Sequence, residues 1–131
     1  YFDISIFNFI KRFICKKLKK TDYQNYDKLW KYIINRKRTY KGLPIIRGAF
    51  SAFDNSPRKG TNSLIIKGST SKKFGNYLEQ LINNNRKDAD DRFVVINAWN
   101  EWGEGAILEP TEQFKYTYLE EIKRIKNNID N

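Results

Sequence analysis

Residues 4–18 carry apolar side chains at Ile6, Phe7, Ile10, Phe13, Ile14 and Leu18. Spacings of three and four predict an amphipathic helix, with Lys11, Arg12, Lys16, Lys19 and Lys20 on its other side or at its end. A second helix is predicted over 23–38. Tyr26, Leu29, Trp30, Ile33 and Ile34 form its apolar face, Thr21 or Asp22 caps it, and Trp30 is assigned to the core. Gly42 and Pro44 then end the helical region.

From there the pattern changes period. Residues 45–53 read as a short strand, followed by a polar loop at 54–60, and Ile65 and Ile66 as a brief extended piece. A helix is predicted over 71–86, with Thr70 or Ser71 as cap and Phe74, Tyr77, Leu78, Leu81 and Ile82 inward. The polar run 83–91 reads as a turn. Residues 92–99 form the best strand, and the continuous apolar run Phe93–Ile96 predicts burial on both faces. A last helix is expected over 112–127, with Phe114, Tyr118, Leu119, Ile122 and Ile125 on one side.

The second half is therefore strand, loop, helix, strand, loop, helix. That order predicts an α/β fold with a parallel sheet and right-handed crossovers. A full (β/α)8 barrel takes about 250 residues, so a chain of 131 residues would supply the C-terminal part of one, preceded by one or two helices. Residues 1–20 are set apart as a basic amphipathic segment and 21–131 as the barrel portion. The absence of an initiator methionine suggests a fragment, expected to be inactive in isolation.

Composition narrows the chemistry. A single cysteine, Cys15, excludes an internal disulfide, and the absence of histidine excludes imidazole-based triads within the segment. Acid–base work falls to Asp, Glu, Lys or Tyr. Nothing in the pattern calls for a metal or a cofactor. The net charge of +10 is spread along the chain, except for a concentration in the first 20 residues. That spread fits a Lys-, Asn- and Ile-rich compositional bias and speaks against nucleic acid as the partner; an anionic membrane surface enters through residues 1–20 alone. No run approaches the roughly 18 apolar residues of a membrane span, and no signal-peptide pattern is visible. A cytoplasmic site, or one peripheral to the inner face of a membrane, is the expectation.

The candidate chemistry lies in residues 97–110, Asn-Ala-Trp-Asn-Glu-Trp-Gly-Glu-Gly-Ala-Ile-Leu-Glu-Pro. Glu101 and Glu104 follow the best strand, and Gly103 and Gly105 let the backbone bend so that both carboxylates enter one cleft. Two carboxylates in one cleft suit general acid and base roles. Trp99 and Trp102 offer rings for a sugar face, and Asn97 and Asn100 offer amides for hydroxyls or for the loop backbone. Glu109, before Pro110, reads as structural or as orienting the cleft. A second loop, Asp54-Asn55-Ser56-Pro57-Arg58, follows the earlier strand. Asp54 could pair with Arg58, and Arg58 could bind a carboxylate or phosphate.

Together the two motifs resemble the WbsX-type family, described as glycoside hydrolase family 99-like. The resemblance covers roughly residues 22–127 and leaves residues 1–20 outside. Phe53 stands where the family usually has Trp. The resemblance implies a (β/α)8 barrel with its active site on the C-terminal face. It implies a retaining glycosidase reaction on a mannose-like or bacterial surface glycan, with Glu101 as base on the sugar 2-hydroxyl and Glu104 as general acid/base. It equally implies a glycosyltransferase role in polysaccharide synthesis. Trp99, Asn100, Trp102, Asp54, Asn55 and Arg58 would bind substrate, and Asn97, Glu109, Gly103 and Gly105 would support them. Two other readings remain: a glycan-binding or inactive barrel remnant, and a membrane- or nucleic-acid-binding module led by residues 1–20.

Overall fold

The computed structural model of the chain describes residues 6–36, 39–85 and 93–130. Helices α1 to α5 span Ile6–Lys17, Tyr26–Asn35, Ser56–Lys59, Ser71–Asn85 and Thr117–Asp130. Strands β1 to β9 are Asp22–Asn25, Thr39–Tyr40, Leu43–Pro44, Arg47–Phe50, Phe53–Asp54, Leu64–Lys67, Val94–Asn97, Asn100–Glu101 and Ala106–Ile107. The α/β class is as the sequence predicts. The barrel portion is not shown: the strands form four small sheets, β1–β6–β5, β2–β3, β4–β7 and β8–β9. No closed barrel is found among the described residues, because closure needs a continuous ring of about eight tilted strands and the largest sheet here has three.

Strand β4 pairs with β7 in parallel, from Arg47 opposite Val94 to Phe50 opposite Asn97. Helix α4 lies between them in sequence, which is the strand–helix–strand unit read from the pattern. One face of this pair is covered. Arg47, Ala49, Val94 and Ile96 point to it, and the apolar stripes of α2, α4 and α5 meet there. Tyr26, Trp30, Phe74 and Leu81 are fully buried. Trp30 is stacked between Phe50 and Tyr77, at centroid distances of 5.6 and 5.5 Å. Arg47 donates from Nη2 to the carbonyls of Ile33 and Ile34 in the last turn of α2, where Ile33 also accepts from the Arg36 amide at 3.4 Å.

Several expectations change. Residues 22–25 are strand β1, not the start of a helix, because they pair with β6 from Asp22 opposite Leu64 to Asn25 opposite Lys67. The cap of α2 is accordingly Asn25, whose Oδ1 accepts from the Lys28 amide at 2.9 Å, and not Thr21 or Asp22. The strand over 45–53 divides into β4 and β5, which belong to different sheets. The last helix begins at Thr117; Phe114 precedes it and packs edge-on against Tyr118 at 5.5 Å. Burial of β7 on both faces does not occur: Phe93 is 71% and Val95 60% exposed, and Ile46 beside them 65%. No described element crosses that face. The helix at 71 is as predicted, with Thr70 Oγ1 accepting from the Lys73 amide at 3.1 Å. The expected turn at 83–91 lies mostly outside the described residues; residues 83–85 belong to α4.

Helix α1 keeps much of its stripe open, with Ile10, Phe13, Ile14 and Leu18 exposed. Its Lys11 reaches the buried Asp22 carboxylate at 3.0 Å and the Tyr23 carbonyl at 2.8 Å. Among the described residues no helix is long and apolar enough to cross a membrane.

Candidate functional site

Both sequence motifs follow strands whose C-terminal ends adjoin. After β7 the chain turns through a cis peptide between Asn97 and Ala98 and enters the short β8–β9 hairpin. The tip of that hairpin is a single 3-10 turn, Trp102–Glu104. Gly105 ends the turn at φ +59, a left-handed conformation that a side chain strains. The hairpin is anchored from inside: the Trp99 carbonyl accepts from the amides of Leu108 and Glu109, each at 2.9 Å.

The second loop packs against this tip. Asp54 does not pair with Arg58. Its Oδ1 instead accepts from the Ser56 amide at 2.8 Å, an Asx turn that starts α3. Asn55 fixes the loop to β6: its Oδ1 accepts from the Leu64 backbone amide at 2.7 Å and its backbone N–H donates to the Leu64 carbonyl at 3.2 Å. Pro57 falls in the first turn of α3, where a missing amide hydrogen costs nothing. Arg58 is thereby carried over the 3-10 turn.

Arg58 then meets both carboxylates. Its Nη2 donates to Glu101 Oε1 at 2.7 Å, and its Nη1 lies 3.9 Å from Glu104 Oε1. The hydrogen bond and charge of Glu101, and the more distant charge of Glu104, raise the guanidinium pKa above its ordinary value, so the arginine stays cationic. Gly103 passes directly beneath the guanidinium: a Cβ there would lie 2.3 Å from Arg58 Nε. Gly105 approaches the Asp54 backbone, with a Cβ position 3.4 Å from its nitrogen. Gly105 thus makes the left-handed bend, and both glycines permit close approach of the two loops.

Trp99 and Trp102 are more than half exposed, and Asn97 and Asn100 are exposed beside them. Flat rings and amides accessible next to two carboxylates suit a sugar, whose apolar face stacks and whose hydroxyls hydrogen-bond. Glu109 lies eight residues before α5 and cannot act as a charge at that helix's start. Among the described residues no group of three or more His, Cys, Asp or Glu is placed to hold a metal ion.

The other flank of the same loop borders a cleft of about 680 Å³. Phe53, Asn55 and Lys59 line one side, and Phe13, Cys15, Lys16 and Lys20 of the α1 region the other. Sequence reasoning did not single out this group. Its members come from segments some 40 residues apart, and no spacing rule connects them.

A family model described as glycosyltransferase WbsX matches residues 4–122 of the chain. The match begins inside the basic segment at 1–20, which the sequence resemblance had left outside. An uncharacterized protein, WxcX, from two strains of Xanthomonas campestris pv. campestris is 29% identical over 89 residues, 66% of this chain. That stretch is 13% of the length of either relative. No solved structure matches the chain.

Proposed function

The chain belongs to the glycosyltransferase WbsX family, and from that membership we propose that its acid pair performs acid–base catalysis on a surface polysaccharide. The observation that carries this reading is the convergence of Glu101 and Glu104 on one arginine, beside two exposed indoles.

In this reading Glu104 protonates the leaving glycosidic oxygen as general acid. Glu101, held in position by Arg58, takes the proton of the sugar 2-hydroxyl, whose oxygen closes on the anomeric carbon from the opposite face. The strained intermediate is then opened by an incoming hydroxyl that Glu104, now a carboxylate, deprotonates. Two inversions retain the anomeric configuration. Water as the incoming group gives hydrolysis, and a second sugar gives transfer; the residues named serve both. Trp99 and Trp102 stack on the sugar rings. Asn100 donates to their hydroxyls. In the full-length protein, β4 and β7 are neighbouring strands of a (β/α)8 barrel whose further strands cover Ile46, Phe93 and Val95.

The test is Glu104→Gln in the full-length protein, assayed on an identified mannose-like or surface glycan. General acid–base catalysis contributes about 10²–10⁴-fold, so turnover falls by at least about 10²-fold. Unchanged turnover overturns the assignment. Tight glycan binding by the wild type with no product, read by calorimetry, would instead make the site one of recognition.

A further inference from the structure

The cleft beside the acid pair has a chemical character of its own. Lys16 and Lys20 face it from the α1 side, and Lys59 from α3. None of these three lysines has an ion pair with a described residue. Among the described residues Asp22 is the one carboxylate in the lining, and Lys11 already compensates it at 3.0 Å. Asn55 uses its Oδ1 on the Leu64 amide, which leaves its Nδ2 as a donor, and Asn62 lines the cleft nearby. The lining therefore offers an excess of cations and hydrogen-bond donors, with Phe13, Phe53 and Leu64 as apolar wall. Its volume of about 680 Å³ is that of a small-molecule site rather than of a single bound ion.

The placement matters as much as the charge. Asp54 and Arg58 turn toward the acid pair, while Phe53, Asn55 and Lys59 of the same stretch turn toward the cleft. A ligand in the cleft is thus separated from the reacting sugar by one short loop. Three unpaired ammonium groups match a ligand part of two or three negative charges. A uronic acid residue brings one such charge; a diphosphate brings the required number.

The geometry points to a diphosphate-binding site in this cleft, which holds the anionic carrier group of the glycan that the acid pair processes. The identity of the ligand as a glycan carrier rests on the proposed function; the anion site itself does not. Lys16, Lys20 and Lys59 bind the phosphoryl oxygens, Asn55 and Asn62 donate to them, and Phe53 packs on the adjoining group. Both nucleoside diphosphates and prenyl diphosphates present this chemistry.

Calorimetric titration of the purified full-length protein with inorganic pyrophosphate tests the site without any glycan, so the result stands apart from success or failure of the turnover assay. Saturable binding is expected, weakened about tenfold or more by Lys16→Gln and by Lys59→Gln. The exposed Lys126→Gln on α5 leaves it unchanged. Because Cys15 lines the cleft, pyrophosphate also slows its alkylation by iodoacetamide at least threefold in the wild type. Displacement of pyrophosphate by a nucleoside diphosphate, or by a short prenyl diphosphate in detergent, supports the proposal and identifies the carrier. Absence of saturable binding, equal weakening by Lys126→Gln, or displacement by neither organic diphosphate overturns it.

Discussion

Replacing Gly103 by alanine separates the site from the fold. The backbone at Gly103 does not require glycine for its φ, so alanine adds a methyl group without backbone strain. That methyl would stand 2.3 Å from Arg58 Nε and 3.1 Å from its Cζ, whereas ordinary contact begins near 3.4 Å. The guanidinium must therefore retreat by about 1.1 Å. Moved directly away, its 2.7 Å hydrogen bond to Glu101 lengthens to about 3.8 Å, beyond hydrogen-bonding range. Arg58 is the exposed end of a flexible side chain, so the rearrangement costs the fold little, and the melting temperature should stay within about 3 °C of the wild type. Under the proposed function catalysis is less forgiving, since a misplacement of about 1 Å can cost about 10²-fold. The Arg58 Nε–H resonance, assigned through Arg58→Lys, reports the displacement. Turnover of the full-length protein reports its consequence. Gly103→Ala with an unshifted resonance and full turnover would refute the view that Arg58 must lie against both carboxylates.

Two further outcomes follow from the packing. Gly75→Ala raises intrinsic helix propensity in α4, yet its Cβ would lie 2.8 Å from Glu121 Cβ, where α5 crosses; overpacking of about 1–3 kcal/mol should win, lowering the melting temperature by several degrees, and a more stable variant would contradict the α4–α5 contact. Asp27 accepts from Lys73 Nζ at 2.8 Å and from the Tyr77 hydroxyl at 2.9 Å, and these bonds hold its carboxyl below the ordinary value of 3.8. The unfolded chain binds that proton more readily, so the contribution is complete above the ordinary carboxylate pKa and is lost as pH falls through and below it. Urea midpoints at about pH 6 and pH 3 should drop less in Asp27→Asn than in wild type; an identical acid loss in the two would rule Asp27 out as its source.

The elements that could be read directly are those whose signals are local. Thr70 before Phe74, Leu78 and Leu81 predicts α4 because a cap and a stripe at intervals of three and four are properties of one turn and the next. The continuous apolar run Phe93–Ile96 marks β7 for the same reason. Asp22–Asn25 was misread because its partner, Leu64–Lys67, lies some 40 residues away, and pairing overrides a helical pattern that runs on through Tyr26. The missing second covering of β7 has the same character. An apolar run states that a strand should be buried, not which elements exist to bury it.

For the site, the sequence by itself determined which groups are present: carboxylates without histidine, indoles and amides after an apolar strand, and a lone cysteine that excludes an internal disulfide. It also carried the motifs that join the chain to its family. Only the tertiary structure decided how those groups are paired. Arg58 turned from Asp54, four residues away, to Glu101, 43 residues away, because the Asx turn at Asp54 occupies its carboxylate and Gly103 leaves room for the guanidinium. The cationic cleft behind the same loop likewise is lined by residues of the α1 region and of α3 that the sequence keeps some 40 residues apart. Residue type fixes what a side chain can donate, accept or ionise; which partner it finds depends on contacts between distant segments, and these exist only once the chain has folded.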